Sequence, residues 1–205
     1  MQASGTLVIV GAGGHGRVVA DAALRQGAWS RVVATDRDPG RCTGELLPGV
    51  ALLPVDEAMA LDAQVHVAIG NAAARERESA AVRGRLASVA HPMASVSPFA
   101  EVGAGSFLAA QSVVAPSARV GAGVIVNHGA VVDHDCVVGD FCHIAPQAAL
   151  GGAVRIGARV LLGTGTSVLP GVSVCDDVVV GAGAAVCADV REPGVYVGVP
   201  ARRTR

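Results

Sequence analysis

Aromatic residues are scarce in this 205-residue chain: three Phe, one Tyr and one Trp make up 2%, while 51% of residues are hydrophobic. Its core must therefore be built from Val, Ala and Leu, which suit a narrow space better than a sandwich around large rings. An excess of one charge is also missing. The formal net charge is −1 and the isoelectric point about 6.6, so no basic surplus exists to neutralise nucleic acid or an anionic membrane surface. No apolar run is long enough to cross a bilayer, and Met1 to Gly5 hold no basic segment ahead of an apolar one, so neither a membrane anchor nor a secretory signal is expected. The five cysteines, Cys42, Cys136, Cys142, Cys175 and Cys187, are odd in number and contain no C-x-x-C pair. A reducing cytoplasm is their expected setting.

What the chain does contain is a strict period of six. Every sixth position from Val96 to Val186 is aliphatic, sixteen in succession, and the position four further on is always small or β-branched, from Ala100 to Val190. A helix needs spacings of 3 and 4, and a half-buried strand a spacing of 2, so neither fits. Short strands joined by tight corners do, with three hexads closing one coil of eighteen residues. The aliphatic fills the interior and the small residue packs beside it, which makes Cys136 and Cys142 buried thiols rather than nucleophiles. Glycines at the second place of their hexads, such as Gly103, Gly121 and Gly139, are expected at corners needing unusual backbone angles. The pattern resembles the left-handed parallel β-helix of the hexapeptide acyltransferases, and the handedness rests on that resemblance.

Ahead of the repeat lies a different pattern. Thr6 to Val10 read as a buried strand, followed by Gly-Ala-Gly-Gly-His-Gly from Gly11 to Gly16 and a helix from Arg17 to Gln26 stopped by Gly27. Further strands at Arg31–Thr35, Val50–Leu53 and Val65–Ile69 alternate with helices at Asp56–Leu61 and Ala72–Arg83. The result is a small Rossmann-like α/β domain with a parallel sheet. The glycine turn matches G-x-G-x-x-G, with Asp36 about twenty residues on, as phosphate at a helix N-terminus and a ribose hydroxyl would require. About 85 residues are too few for both halves of a dinucleotide site, so one nucleotide or nucleotide diphosphate fits better. The expected division is residues 1–90 as a nucleotide-sugar domain, 91–191 as the β-helix, and 192–205 as a tail capping its last coil. His91, before Pro92, is read as part of the connector.

One region of the repeat is polar: Asn127-His128, Asp133-His134-Asp135, then Asp140 and His143. An outward histidine between carboxylates is placed to act as a base, since a carboxylate holding one ring nitrogen raises the basicity of the other. Eighteen residues beyond His134 lies Gly152, so bare backbone is expected beside the imidazole, leaving room for substrate and offering an N–H. Over His128 lies Pro146, which offers neither. His143 is half a coil from His134, so the two can share a site only between subunits.

The glycine turn, Ala68-Ile69-Gly70-Asn71, the His134-Asp135 pair within Val-Val-Asp-His-Asp-Cys-Val-Val-Gly-Asp and the ending Gly-Val-Pro-Ala-Arg together resemble the bacterial nucleotide-sugar N-acetyltransferases. That family acetylates the 4-amino group of UDP- or GDP-linked dideoxy sugars and is related to the sialic acid O-acetyltransferases. The resemblance implies a homotrimer using acetyl-CoA and no metal. It makes His134 the general base and Asp135 the acid modulating it. It also makes His143, Gly152, Thr164 and Ala182 acetyl-CoA contacts, and Gly13, Gly14, His15, Asp36 and Gly70 nucleotide-sugar contacts. Two other enzymatic readings stand beside it: O-acetylation of sialic acid or a related hydroxyl, and a metal site using His128, His134 and His143. The spacings of 6 and 9 between those histidines disfavour a tetrahedral cluster.

Overall fold

The computed structural model describes residues 4–204. The start of the Met1–Gly5 stretch and the final Arg205 lie outside the described residues. By internal contacts the chain divides into two compact units, with the boundary between Pro92 and Met93.

The first unit is a five-stranded sheet. Its elements are β1 (Thr6–Val10), α1 (Gly14–Gln26), β2 (Arg31–Thr35), β3 (Glu45–Leu47), β4 (Val50–Leu52), α2 (Val55–Ala60), β5 (Ala63–Val67) and α3 (Ala72–Ala81). Strand order is β3-β4-β2-β1-β5, so β1 is an interior strand paired by β2 and β5, and its Leu7, Val8 and Ile9 have no exposed surface. The sheet is not wholly parallel as the alternating pattern predicts: β3 runs antiparallel to β4. Pro48-Gly49 accounts for this, because Gly49 takes a φ of +84° and Leu47 pairs Val50 across a tight turn. Helix α1 begins at Gly14 rather than Arg17, so the second half of the glycine motif forms its first turn.

The second unit is a stack of two-residue strands whose parallel registers step by eighteen residues. Val113 pairs Val131, which pairs Ala149, on one wall. Arg119 pairs Val137, which pairs Arg155, on the second wall. Ile125 pairs His143, which pairs Leu161, on the third. Each coil visits the three walls in turn, and the repeated aliphatics face inward: Val126, Val132, Ile144 and Leu162 are fully buried. Val96, on the outermost strand of the first wall, is 38% exposed because no rung lies beneath it there. At the far end Gly194–Val197 adds a parallel rung to Val178–Val180, and Arg202–Arg203 doubles back against it.

The glycine expectation needs correcting. Second-place glycines take ordinary backbone angles. Positive φ falls instead at the fourth place of every hexad between the first and the last, whether Gly105, Gly123 and Gly165 or Gln111, Asp135, Phe141 and Arg159. The second-place glycines are bare because the coils approach closely. A Cβ on Gly139 would sit 2.6 Å from the carbonyl carbon of Gly157, and one on Gly103 would sit 2.5 Å from that of Gly121. Fifth-place side chains lie inside and can bond along the stack: the Cys142 thiol donates to the Gly157 carbonyl at 2.9 Å, and the Ser106 hydroxyl to that of Gly121 at 2.9 Å.

Candidate active site

His134 lies at the corner between the first and second walls, and its side chain is 60% exposed. Its neighbours on both sides fix it. The Asp133 carboxylate accepts the His134 backbone N–H at 2.8 Å, and the Asp135 carboxylate lies 2.8 Å from ring Nδ1. A carboxylate against Nδ1 assigns the ring proton to that nitrogen and leaves Nε2 with its lone pair. The hydrogen bond to Asp135 first, then the charge of Asp133, raises the imidazole above its ordinary pKa of 6.5. Asp135 holds this position at φ +60°, a left-handed conformation that Asp tolerates better than most residues.

Gly152 stacks on His134 as the eighteen-residue step predicts, and the Ala153 N–H donates to the His134 carbonyl at 2.9 Å. The expected room for substrate is absent, however. A Cβ on Gly152 would sit 2.5 Å from Cε1 and 2.6 Å from Nε2, so the ring itself lies over the bare backbone, and Gly152 is buried. The glycine seats the imidazole.

The other predicted contacts of the repeat lie elsewhere on the prism. His143 is on the third wall, where its Nε2 is 3.1 Å from Asn127 Nδ2. Because Asn127 Oδ1 accepts the His128 N–H at 2.9 Å, the Asn127 amide is the donor to His143, which assigns the His143 proton to Nδ1. Thr164 and Ala182 are exposed at the corner between the third and first walls, stacked through the Gly183 N–H to the Thr164 carbonyl at 2.8 Å. His128 belongs to that same corner column. Within one chain the structure thus gathers His134, Asp135 and Gly152 in one place, and sets His143 on the third wall and Thr164 and Ala182 at the corner that follows that wall. No group of three metal-ligating side chains occurs among the described residues.

In the first unit, the predicted sugar contacts surround the carboxyl ends of β1, β2 and β5, where open α/β sheets bind ligands. Gly11 has φ +115° and would press a Cβ to 2.7 Å from the Ala68 carbonyl, while Gly16 packs α1 against Gly11. These two glycines serve the fold. Gly13 and Gly14 face open space: a Cβ on Gly13 meets only Arg41 at 3.8 Å and one on Gly14 meets nothing within 4 Å. Gly13 is the N-cap of α1 and makes no side-chain capping bond. Asp36 accepts from the Ala12 N–H at 2.8 Å and the Asp38 N–H at 3.0 Å, which ties the end of β2 to the glycine turn. Gly70 is exposed, and its carbonyl accepts from Arg75 at 2.9 Å.

The repeat gives Asn127 no role and Asp133 none beyond a carboxylate flanking His134, and the helix pattern gives none to Arg75, which is 1% exposed in α3. Asn127 reaches His143 across sixteen residues, an offset no multiple of six predicts. A polar residue at the second place of a hexad was the available signal for both Asn127 and Asp133. For Arg75 no signal separated a buried arginine from a solvated one.

The family described as PglD N-terminal domain matches residues 6–81. No curated protein sequence matches the chain. Solved structures do: the acetyltransferase domain of PglB from Neisseria gonorrhoeae FA1090, at 33% identity and a TM-score of 0.92, covers 98% of this chain and 100% of that one. PerB from Caulobacter crescentus, solved in complex with CoA and GDP-perosamine, is 35% identical with a TM-score of 0.89, covering 99% of each chain. WeeI from Acinetobacter baumannii AYE is 26% identical with a TM-score of 0.81, covering 97% of this chain and 99% of that one.

Proposed function

Because the chain belongs to the bacterial sugar acetyltransferase family that these structures represent, we propose that it moves acetyl from acetyl-CoA to the amino group, at C4, of a nucleotide-linked dideoxy amino sugar. The PglB domain has also been solved with acetyl coenzyme A, and the Caulobacter relative is described as a GDP-perosamine N-acetyltransferase. The observation that carries the reading is the exposed His134 imidazole, held by Asp135 at 2.8 Å with Nε2 left as the base.

The amine nitrogen attacks the thioester carbonyl carbon while His134 Nε2 takes the amine proton. The C–S bond then breaks, the sulfur leaves with the bonding pair, and the imidazolium returns a proton to it. General base catalysis of this kind contributes roughly 10²- to 10⁴-fold. Transfer is direct. Cys136 is fully buried, its thiol donates to the Gly151 carbonyl at 3.2 Å, and burial pushes its pKa up.

In this reading residues 1–90 hold the nucleotide sugar. The first turn of α1, at Gly13, Gly14 and His15, faces the phosphates, and Asp36 and Gly70 flank the remainder. Residues 91–191 wind as a left-handed β-helix carrying the chemistry, and residues 192–205 cap it. His134 and His143 occupy different parts of the prism, so a site that uses both draws on two protomers. We assign the cleft of a cytoplasmic homotrimer, with His143, Thr164 and Ala182 of the adjoining protomer against acetyl-CoA.

His134→Ala should lower the acetylation rate by roughly 10²-fold or more, read as CoA thiol release. A loss under tenfold, with circular dichroism unchanged, removes His134 from the role.

A further inference from the structure

Next to Asp36, a cavity of about 420 Å³ opens at the carboxyl ends of β1 and β2. Val55, Met59 and Val82 form apolar walls, while Asp36, Arg37 and Glu78 supply the polar groups. The size and lining suit a flat heterocycle with one edge to be recognised.

Glu78 is the unusual member. It lies on α3 with a side chain only 9% exposed. Its Oε2 accepts from Arg37 Nη2 at 2.8 Å, but Arg37 is itself 72% exposed. Its Oε1 is buried and accepts no hydrogen bond among the described residues. Arg77 Nε lies 3.6 Å from Oε1, beyond hydrogen-bond reach. A buried acceptor left without a donor is costly, and in a ligand cavity it is a cost that the right ligand removes.

The edges of the nucleobases differ in what they offer such an acceptor. Guanine presents two adjacent donors, N1–H and the 2-amino group, which match a carboxylate. Uracil presents one N–H between two carbonyl oxygens, so a carboxylate there would face like partial charges. Adenine sets a ring acceptor beside its single amino group. We propose that this cavity takes the guanine of a GDP-linked sugar, with Glu78 accepting from N1–H and the 2-amino group and Arg37 lying at the rim. The proposal rests on the nucleotide-sugar reading above and fixes which nucleotide is meant.

Calorimetric titration of the intact protein with GDP, IDP, UDP and ADP tests it. GDP should bind about tenfold or more tighter than UDP and ADP, because a site built for particular donors rejects bases lacking them. IDP, which lacks the 2-amino group, should fall clearly below GDP. Glu78→Gln, shown folded by thermal melting, should lose about tenfold in GDP affinity and leave UDP unchanged. Equal binding of UDP and GDP, or of IDP and GDP, overturns the proposal, as does a Gln variant that keeps the GDP preference. Thiol release with GDP- and UDP-linked 4-amino sugars separates the two readings. Selective GDP binding with neither sugar acetylated leaves the guanine cavity standing and removes acetyl transfer. Faster acetylation of the UDP-linked sugar does the reverse.

Discussion

His134 stands between two carboxylates that act through different atoms. Asp135 holds the ring and Asp133 holds the backbone N–H, each at 2.8 Å. Both favour the protonated imidazole, so its pKa is raised. A base works only when unprotonated, so kcat/KM should fall as the pH drops through that raised value and level off above it. Asp135→Asn removes the charge that accepts from Nδ1. The acid limb should then move to lower pH, and the plateau should fall because the tautomer is no longer fixed. A pH–rate profile whose acid limb stays put would show that another group titrates. Gly152→Ala tests the seat of the ring. Its methyl would land on Cε1 at 2.5 Å, and the exposed imidazole can swing aside. Activity should therefore fall about 10²-fold, toward that of His134→Ala, with the melting temperature nearly unchanged. This contact was legible in the sequence, because eighteen residues separate His134 from Gly152. The consequence was not legible, since a repeat gives which residues stack and not whether a ring or a void fills the space between them. Glu78 was not legible at all: it lies in a polar helix face, and only the packing around it distinguishes it from Glu76.

At the scale of the element, the corner of each hexad assigns two different tasks to two places. The second place allows coils to approach, and the fourth turns the chain. Gly139→Ala drives a Cβ to within 2.6–2.7 Å of the Gly157 and Ala158 backbone. It should destabilise the protein by about 2 kcal/mol or more, since backbone cannot move aside as a side chain does. Gly165→Ala, at φ +68° with nothing within 4 Å, should cost only about 1 kcal/mol of left-handed strain. Urea midpoints of the two variants give the comparison, and equal costs would contradict the assignment. The period of six located every corner. It could not show which place needs positive φ, because Gln111, Phe141 and Arg159 accept that conformation alongside glycine. Aspartates reinforce the stack where a bare position faces them: Asp140 accepts the Ala122 N–H at 2.8 Å, and Asp176 accepts that of Ala158 at 2.9 Å. Asp140 therefore serves the fold. In the first unit the alternating pattern located β1, β2 and β4 but set the last strand at Val65–Ile69, two residues beyond Ala63–Val67, and the short antiparallel β3 escaped because three residues carry no readable period.

At the scale of the whole molecule, the separation of His134 from His143 is the feature that the proposed trimer explains. Chains carrying His134→Ala and chains carrying His143→Ala should each be weak alone. Mixed in equal amounts by co-expression, they should recover about a quarter of the wild-type sites, since random assembly pairs an intact His134 with an intact neighbouring His143 that often. No recovery in mixed trimers, with trimers confirmed by sedimentation, would place both histidines in one protomer's site or in none. The fixed step of the registers has one more consequence. Val131 lies over Val113 and under Ala149 only because each storey holds eighteen residues. Evolution or an engineer can add or remove whole storeys and leave the phase of everything beyond intact. Loss of a single hexad would still keep every aliphatic inside, yet it would rotate the rest of the tower by a third of a turn and carry Thr164 and Ala182 to another edge.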